Sequence, residues 1–352
     1  MQIFNASSCG DVKINENHCA RLLFARSRCD DCMRSCPQDA ISFSTREYKV
    51  ARDCNGCGIC YSACRTGAIK LSDNLDEVVL NKILKEAKRK KVRFLCSKAK
   101  ADEDSYNVVL SCISRLTENV LFRLIKTGFE VEIVKGECSG CEYEKSLFVF
   151  ERNMNFLEDI LSSFNIKERP VIKQEIAEKE IEKEESPRRE FFRMFAKPIR
   201  DMRAEKPRRL FFMDLIQGPL SERETDFLLN ISINDNCNLC GACVFVCPTK
   251  AITVEKDDIK GIIYFSPSLC VGCRNCIDVC MKEAVKGERG NMVLLNRDTV
   301  KLKELNRQVC THCGTVFYSA GEKELCDICK MRKEKEDALF ASWEEQRRKN
   351  DR

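Results

Sequence analysis

No stretch of the 352-residue sequence approaches the roughly 18 consecutive apolar residues needed to cross a bilayer. That leaves membrane contact only to the periphery or to a partner. A charged-then-apolar leader is also missing from the N-terminus, which argues against secretion and for a cytoplasmic protein. There is no Walker loop, no GxGxxG after a strand and no nucleophile–base constellation. Independent sites for nucleotide, flavin or organic substrate are therefore not expected. What the chain has in quantity is cysteine, 25 residues of it. In a reducing compartment that density points to metals rather than disulfides. With 43% apolar residues, the length suffices for two or three packed domains.

The cysteines fall into four groups, Cys9 to Cys64, Cys96 to Cys141, Cys237 to Cys280 and Cys310 to Cys329. The gap between Cys141 and Cys237 contains a stretch rich in Lys, Glu and Arg, broken by Pro170, Pro187, Pro198 and Pro207, which reads as a linker. Its Phe191, Phe192 and Phe195 form an apolar insert, either simple packing or a docking helix. The first and third groups repeat one chemical idea.

In the third group, "CNLCGACVFVCP" and "CVGCRNCIDVC" are consecutive CxxCxxCxxxC runs. Three closely spaced thiolates wrap three irons of a cubane, and the fourth cysteine of each run ligates the other cluster. One [4Fe-4S] cluster is then expected on Cys237, Cys240, Cys243 and Cys280, and a second on Cys270, Cys273, Cys276 and Cys247. Gly241 and Gly272 allow tight turns that point amides at sulfur. With Pro248 and the following "AI", the segment from about Ile231 to Gly287 resembles the bacterial-type 2[4Fe-4S] ferredoxins. That resemblance implies a small βαβ repeat with pseudo-twofold symmetry. Met281 stands where the second proline is usual.

The first group holds "CNGCGICYSACRTGAI", a complete second half. Cys54, Cys57, Cys60 and Cys36 are expected to hold one cubane. The other would take Cys29, Cys32 and Cys64, but Arg26 occupies the place of its first ligand. Cys19, a turn or two of helix upstream, is the expected fourth thiolate, since Cys9 must close a longer, glycine-containing loop. It resembles a variant ferredoxin pattern in which an early cysteine before an Arg-rich stretch completes the site. The alternatives are an imidazole from His18, or a three-iron or open-site cluster. Cys9 reads as a structural cysteine.

In the middle, "VRFLC", "NVVLSC" and "EVEIVKGEC" are β-branched runs separated by helical stretches, which predicts a small parallel α/β sheet. Cys96, Cys112 and Cys138 then fall at the carboxyl edge, where parallel sheets place ligands, and Cys141 follows. Four thiolates there suit a [2Fe-2S] cluster or tetrahedral zinc. "SCISRLTE" and "GECSGCEY" resemble the delta subunit of methyl-viologen-reducing hydrogenases over about Val92 to Ser163. The resemblance implies an iron–sulfur site relaying electrons between an enzyme and a disulfide reductase.

In the last group, Cys310, Cys313, Cys326 and Cys329 form two CxxC knuckles separated by twelve residues. They resemble a zinc ribbon or rubredoxin-like knuckle pair, and zinc held by four thiolates would stabilise a module too small for its own core, with an iron–sulfur site as the alternative. His312 is a spectator beside them. The charged tail reads as a solvated helix with Phe340 and Trp343 as anchors.

The expected architecture is α+β and multidomain. An N-terminal ferredoxin-like domain spans 1–73, an α/β domain 74–165, a linker 166–229, a second ferredoxin domain 230–295, and the zinc-ribbon-like module with its tail 296–352. Four cubanes at about −2 each would turn the formal charge of +5 to about −3. Much of the Lys and Arg is then counter-charge, and direct nucleic-acid binding is not expected. The expected role is an electron-carrier subunit that relays single electrons between a low-potential donor and a partner oxidoreductase. The rivals are a disulfide or small-molecule reductase acting at the middle site or an open N-terminal cluster, and a redox-sensing zinc-ribbon regulator.

Overall fold

The computed structural model describes residues 2–6, 11–44, 47–71, 75–101, 104–176, 220, 222–296 and 298–350. Cys9 and the Phe191, Phe192 and Phe195 insert lie outside the described residues. Strand β1 (Gln2–Asn5) opens the chain, and the first cysteine-rich unit follows it. That unit comprises β2 (Val12–Ile14), α1 (Ala20–Leu23), α2 (Asp31–Arg34), β3 (Ile41–Phe43), β4 (Tyr48–Val50), α3 (Ile59–Ala63) and β5 (Ile69–Leu71). β2 pairs antiparallel with β5 and β3 with β4. The core between these short elements is small, with Ile14, Ile41, Ala68 and Ile69 packed around Cys19 and Cys60.

The middle unit runs through α4 (Leu75–Glu86), β6 (Lys91–Cys96), β7 (Tyr106–Leu110), α5 (Glu118–Lys126), β8 (Glu130–Lys135), α6 (Leu147–Ser163) and β9 (Val171–Gln174). Its five-stranded sheet has the order β1-β7-β6-β8-β9, parallel throughout. Helices cover the sheet, so β7 is buried at every residue, as its unbroken apolar run requires. Thr117 caps α5, its Oγ1 accepting from Val120 N at 3.4 Å.

Two assignments differ from the sequence reading. β1 belongs to the middle sheet although it precedes the first ferredoxin-like unit, and β9 completes that sheet from within the stretch read as linker. The sequence signal is weak because an edge strand needs its ladder more than an apolar face; all four β9 residues are exposed.

The second cysteine-rich unit comprises β10 (Glu224–Ile233), α7 (Ala242–Phe245), β11 (Ile252–Lys256), β12 (Lys260–Phe265), α8 (Asn275–Asp278) and β13 (Val285–Asn291). β14 (Val300–Val309), β15 (Val316–Ser319) and α9 (Asp327–Asn350) complete the chain. β10 pairs antiparallel with β13, and β12 is hydrogen-bonded to both β11 and β14. The terminal module therefore shares a sheet with the second unit, across the boundary expected near residue 295. Phe227, Leu228, Met292, Leu294 and Leu295 join the middle core, and the Phe156 and Phe227 rings lie 4.4 Å apart. Among the described residues no helix is long and apolar enough to cross a membrane.

Candidate metal centres

In the first unit, Cys19 caps α1, Cys32 lies within α2, Cys29 two residues before it, and Cys64 ends α3. These elements gather all four into one electrostatic group. Burial pushes the Cys29 thiol far up, and Cys64, Cys32 and Cys19 push it further. Cys32 is raised by burial and then by Cys64 and Cys19, and Cys19 by burial with Cys64 contributing. The three raised thiols, Cys29, Cys32 and Cys19, resist ionisation in this desolvated site unless a cation joins them. That donor set fits an iron–sulfur cluster. The structure thus brings Cys19 to Cys29, Cys32 and Cys64, whereas Cys9 is not described.

The other cysteines of this unit are Cys36, just after α2, and Cys54, Cys57 and Cys60, leading into α3. Cys36, Cys57 and Cys60 are buried and Cys54 is half-buried. Asn55 accepts from Cys57 N at 3.1 Å and donates through Nδ2 to the Tyr143 hydroxyl at 3.3 Å.

The second unit repeats the arrangement. Cys237 and Cys243 are raised by burial and by Cys240 and Cys280, Cys243 to about 11. Cys273 rises to about 12 through burial, with Cys247 and Cys270 adding to it, and Cys276 is raised by burial and by Cys270, Cys273 and Cys247. The charges of Cys240 and Cys280 thus act on Cys237 and Cys243, and those of Cys247 and Cys270 on Cys273 and Cys276. Cys240 is the exposed member.

A local device recurs after the last cysteine of each run. Asp39, Gly67, Lys250 and Glu283, each three residues beyond it, take positive φ values of 49°, 70°, 56° and 49°. The turn carries the next alanine's N–H back to sulfur: Ala40 to Cys36 at 3.3 Å, Ala251 to Cys247 at 3.2 Å and Ala284 to Cys280 at 3.3 Å. Such bonds stabilise thiolate and tune a bound cluster. The repeated C-x-x-x-A spacing was visible in the sequence, but its backbone role was not.

In the middle unit, Cys96, Cys112, Cys138 and Cys141 line one cavity at the carboxyl ends of β6, β7 and β8, together with Lys98, Lys135 and Tyr143. Gly136 N donates to Cys96 Sγ at 3.1 Å and Ser114 N to Cys112 Sγ at 3.4 Å. Gly136 is required here, because a Cβ would stand 2.8 Å from the Lys98 carbonyl oxygen. Burial raises Cys112 and Cys138; Cys96 raises both further, and Cys141 acts on Cys138. Tyr143, raised by burial and then by Glu142, also feels Cys57 of the first unit and Cys112 of the middle one.

At the C-terminus, the sulfurs of Cys310, Cys313, Cys326 and Cys329 all lie within 4.8 Å of one another. No other set of three or more His, Cys, Asp or Glu among the described residues is as tight. Cys313 Sγ and Cys326 Sγ are 3.8 Å apart. A tetrahedron with zinc–sulfur bonds of about 2.3 Å has edges of about 3.8 Å, so the set fits a single ion. The N–H of Cys326 above all, with those of Cys313 and His312, pulls the Cys310 thiol down to about 6, while burial holds Cys329 at about 12.

With this geometry in place, residues 236–284 match the family described as 4Fe-4S dicluster domain, and residues 48–70 the 4Fe-4S binding domain. A polyferredoxin of Methanothermobacter marburgensis is 32% identical over 65 residues, 16% of this chain and 16% of that protein. An uncharacterized ferredoxin of Methanocaldococcus jannaschii is 36% identical over 47 residues, 13% of this chain and 76% of the relative. The matched segment is thus a small part of the polyferredoxin and most of the ferredoxin.

Proposed function

We infer, from the premise that this chain belongs to the 4Fe-4S ferredoxins, that it is an iron–sulfur electron-transfer subunit that passes single electrons between a low-potential donor and a partner oxidoreductase. The observation that carries the reading is the pair of tandem cysteine runs in residues 236–284, the segment that matches the 4Fe-4S dicluster domain. Held by thiolates, [4Fe-4S] clusters supply one-electron chemistry at potentials set by hydrogen bonds, charge and burial.

The proposed ligand sets are Cys237, Cys240, Cys243 and Cys280; Cys247, Cys270, Cys273 and Cys276; Cys36, Cys54, Cys57 and Cys60; and Cys19, Cys29, Cys32 and Cys64. For the middle cavity we propose a [2Fe-2S] cluster on Cys96, Cys112, Cys138 and Cys141, because that set is more widely spaced than the terminal one. The resemblance to the hydrogenase delta subunit favours the same assignment. Zinc is proposed at Cys310, Cys313, Cys326 and Cys329.

Metal analysis of anaerobically purified protein tests the reading. The expected result is about sixteen irons with matching acid-labile sulfide, about two more from the middle site, and about one zinc. Colourless protein without sulfide would overturn it. Turnover of a disulfide by the isolated chain with reduced viologen would favour a reductase instead.

A further inference from the structure

Asn275 is completely buried and sits within a cysteine run of the second unit, yet its side chain works across a junction. Nδ2 donates to the Ala20 carbonyl at 2.9 Å and to the Val246 carbonyl at 3.3 Å, and Oδ1 accepts from Ser27 Oγ at 2.7 Å. Ser27 Oγ in turn accepts from Cys29 N at 3.3 Å. Ala20 adjoins Cys19, Val246 adjoins Cys247 and Asn275 adjoins Cys276. One amide thus fixes the backbone beside cysteines of two different sets, one in each ferredoxin unit.

Asn275 stands at the start of α8, but two of its three partners belong to the first unit. The neighbouring Arg28–Asp278 ion pair, 3.3 Å with Arg28 76% exposed, contributes little in solvent. The buried amide is the decisive contact, because stranding its donors and acceptor is costly.

We propose that Asn275 is a positioning residue that docks the Cys19, Cys29, Cys32, Cys64 set against the Cys247, Cys270, Cys273, Cys276 set, so that two ferredoxin units form one electrically continuous body rather than two tethered carriers. The inference rests on the electron-transfer reading. Tyr143, which lines the middle cavity, accepts from Asn55 Nδ2, and Asn55 Oδ1 accepts from Cys57 N, so a second side-chain bridge runs from the middle cavity to a cysteine of the first unit.

The test is electron paramagnetic resonance of the partly reduced full chain. Replacing ligands of the first unit, Cys29→Ser with Cys32→Ser, is expected to narrow the second unit's signal and lower its half-saturation power several-fold. Asn275→Leu should produce the same change with iron and sulfide content unaltered, and should speed hydrogen exchange of the 19–29 segment about tenfold. If Asn275→Leu does not fold, Ser27→Ala, which removes one junction bond, is expected to shift the signal in the same direction. A second-unit signal indifferent to Asn275→Leu and to Ser27→Ala, in protein with full iron, overturns the docking role and leaves the proposed function standing. Protein without iron and sulfide overturns both.

Discussion

At the scale of single residues, the centres are shaped by a few side chains whose removal has distinct signatures. Cys19→Ala is expected to cost about four irons, or to leave a three-iron signal, and a full iron count in that variant would dismiss Cys19 as a ligand. Gly136→Ala places a Cβ 2.8 Å from the Lys98 carbonyl and displaces the amide that serves Cys96, so it should destabilise the middle unit by about 1–3 kcal/mol in denaturant titration. Glu132, on β8, stands 2.9 Å from Arg93 Nε, 3.3 Å from Lys91 Nζ and 3.2 Å from Lys173 Nζ. Burial acts to raise its carboxyl, but the lysines prevail and hold it below the usual glutamate range. A depressed carboxylate contributes stability that is present above its unfolded value, near 4.5, and lost as pH falls through the folded one. Glu132→Gln should therefore cost about 2–3 kcal/mol at pH 7, and the gap between variant and parent should close below about pH 4.5 in thermal unfolding followed by circular dichroism.

At the scale of elements, the short helices α1, α2, α3, α7 and α8 are little more than cysteine-presenting turns, and the cysteine spacing that would wrap a cubane is local in the sequence. That is why the cysteine runs, the parallel strands and the helices α5 and α6 were legible from sequence. β1, β9 and the pairing of β12 with β14 were not, because each depends on a ladder formed with a strand distant in sequence. The Asn275 contacts join positions 248 and 255 residues apart, beyond any periodic signal. The terminal module makes its own prediction. Asp327, at the start of α9, contacts Lys282 at 2.9 Å and Asn238 at 3.0 Å, so the knuckles are anchored to the second unit. Removing the ion with a chelator, or Cys329→Ser, should release about one zinc and open residues 310–329 to limited proteolysis while the iron content holds. Phe340 and Trp343, read as anchors, are exposed on α9 at 68% and 55% and touch each other edge to face rather than a core.

At the scale of the whole molecule, among the described residues, the terminal module shares a sheet with the second unit, residues of the second unit join the middle core, and ion pairs tie the middle unit to both ferredoxin units. Arg152 reaches from α6 to Asp31 at 2.5 Å and to the Ala63 carbonyl at 3.0 Å, and Arg223 meets Asp159 at 3.0 Å. The placement of β1 has a consequence during synthesis. The middle sheet takes one edge from residues 2–5 and the other from residues 171–174, with the whole first unit looped out between its first two strands in sequence. Such distant pairing closes slowly and late. A nascent chain must therefore emerge from the ribosome to beyond Gln174 before that sheet is complete, so the looped-out cysteines spend their first seconds without its shelter, within reach of whatever machinery delivers iron.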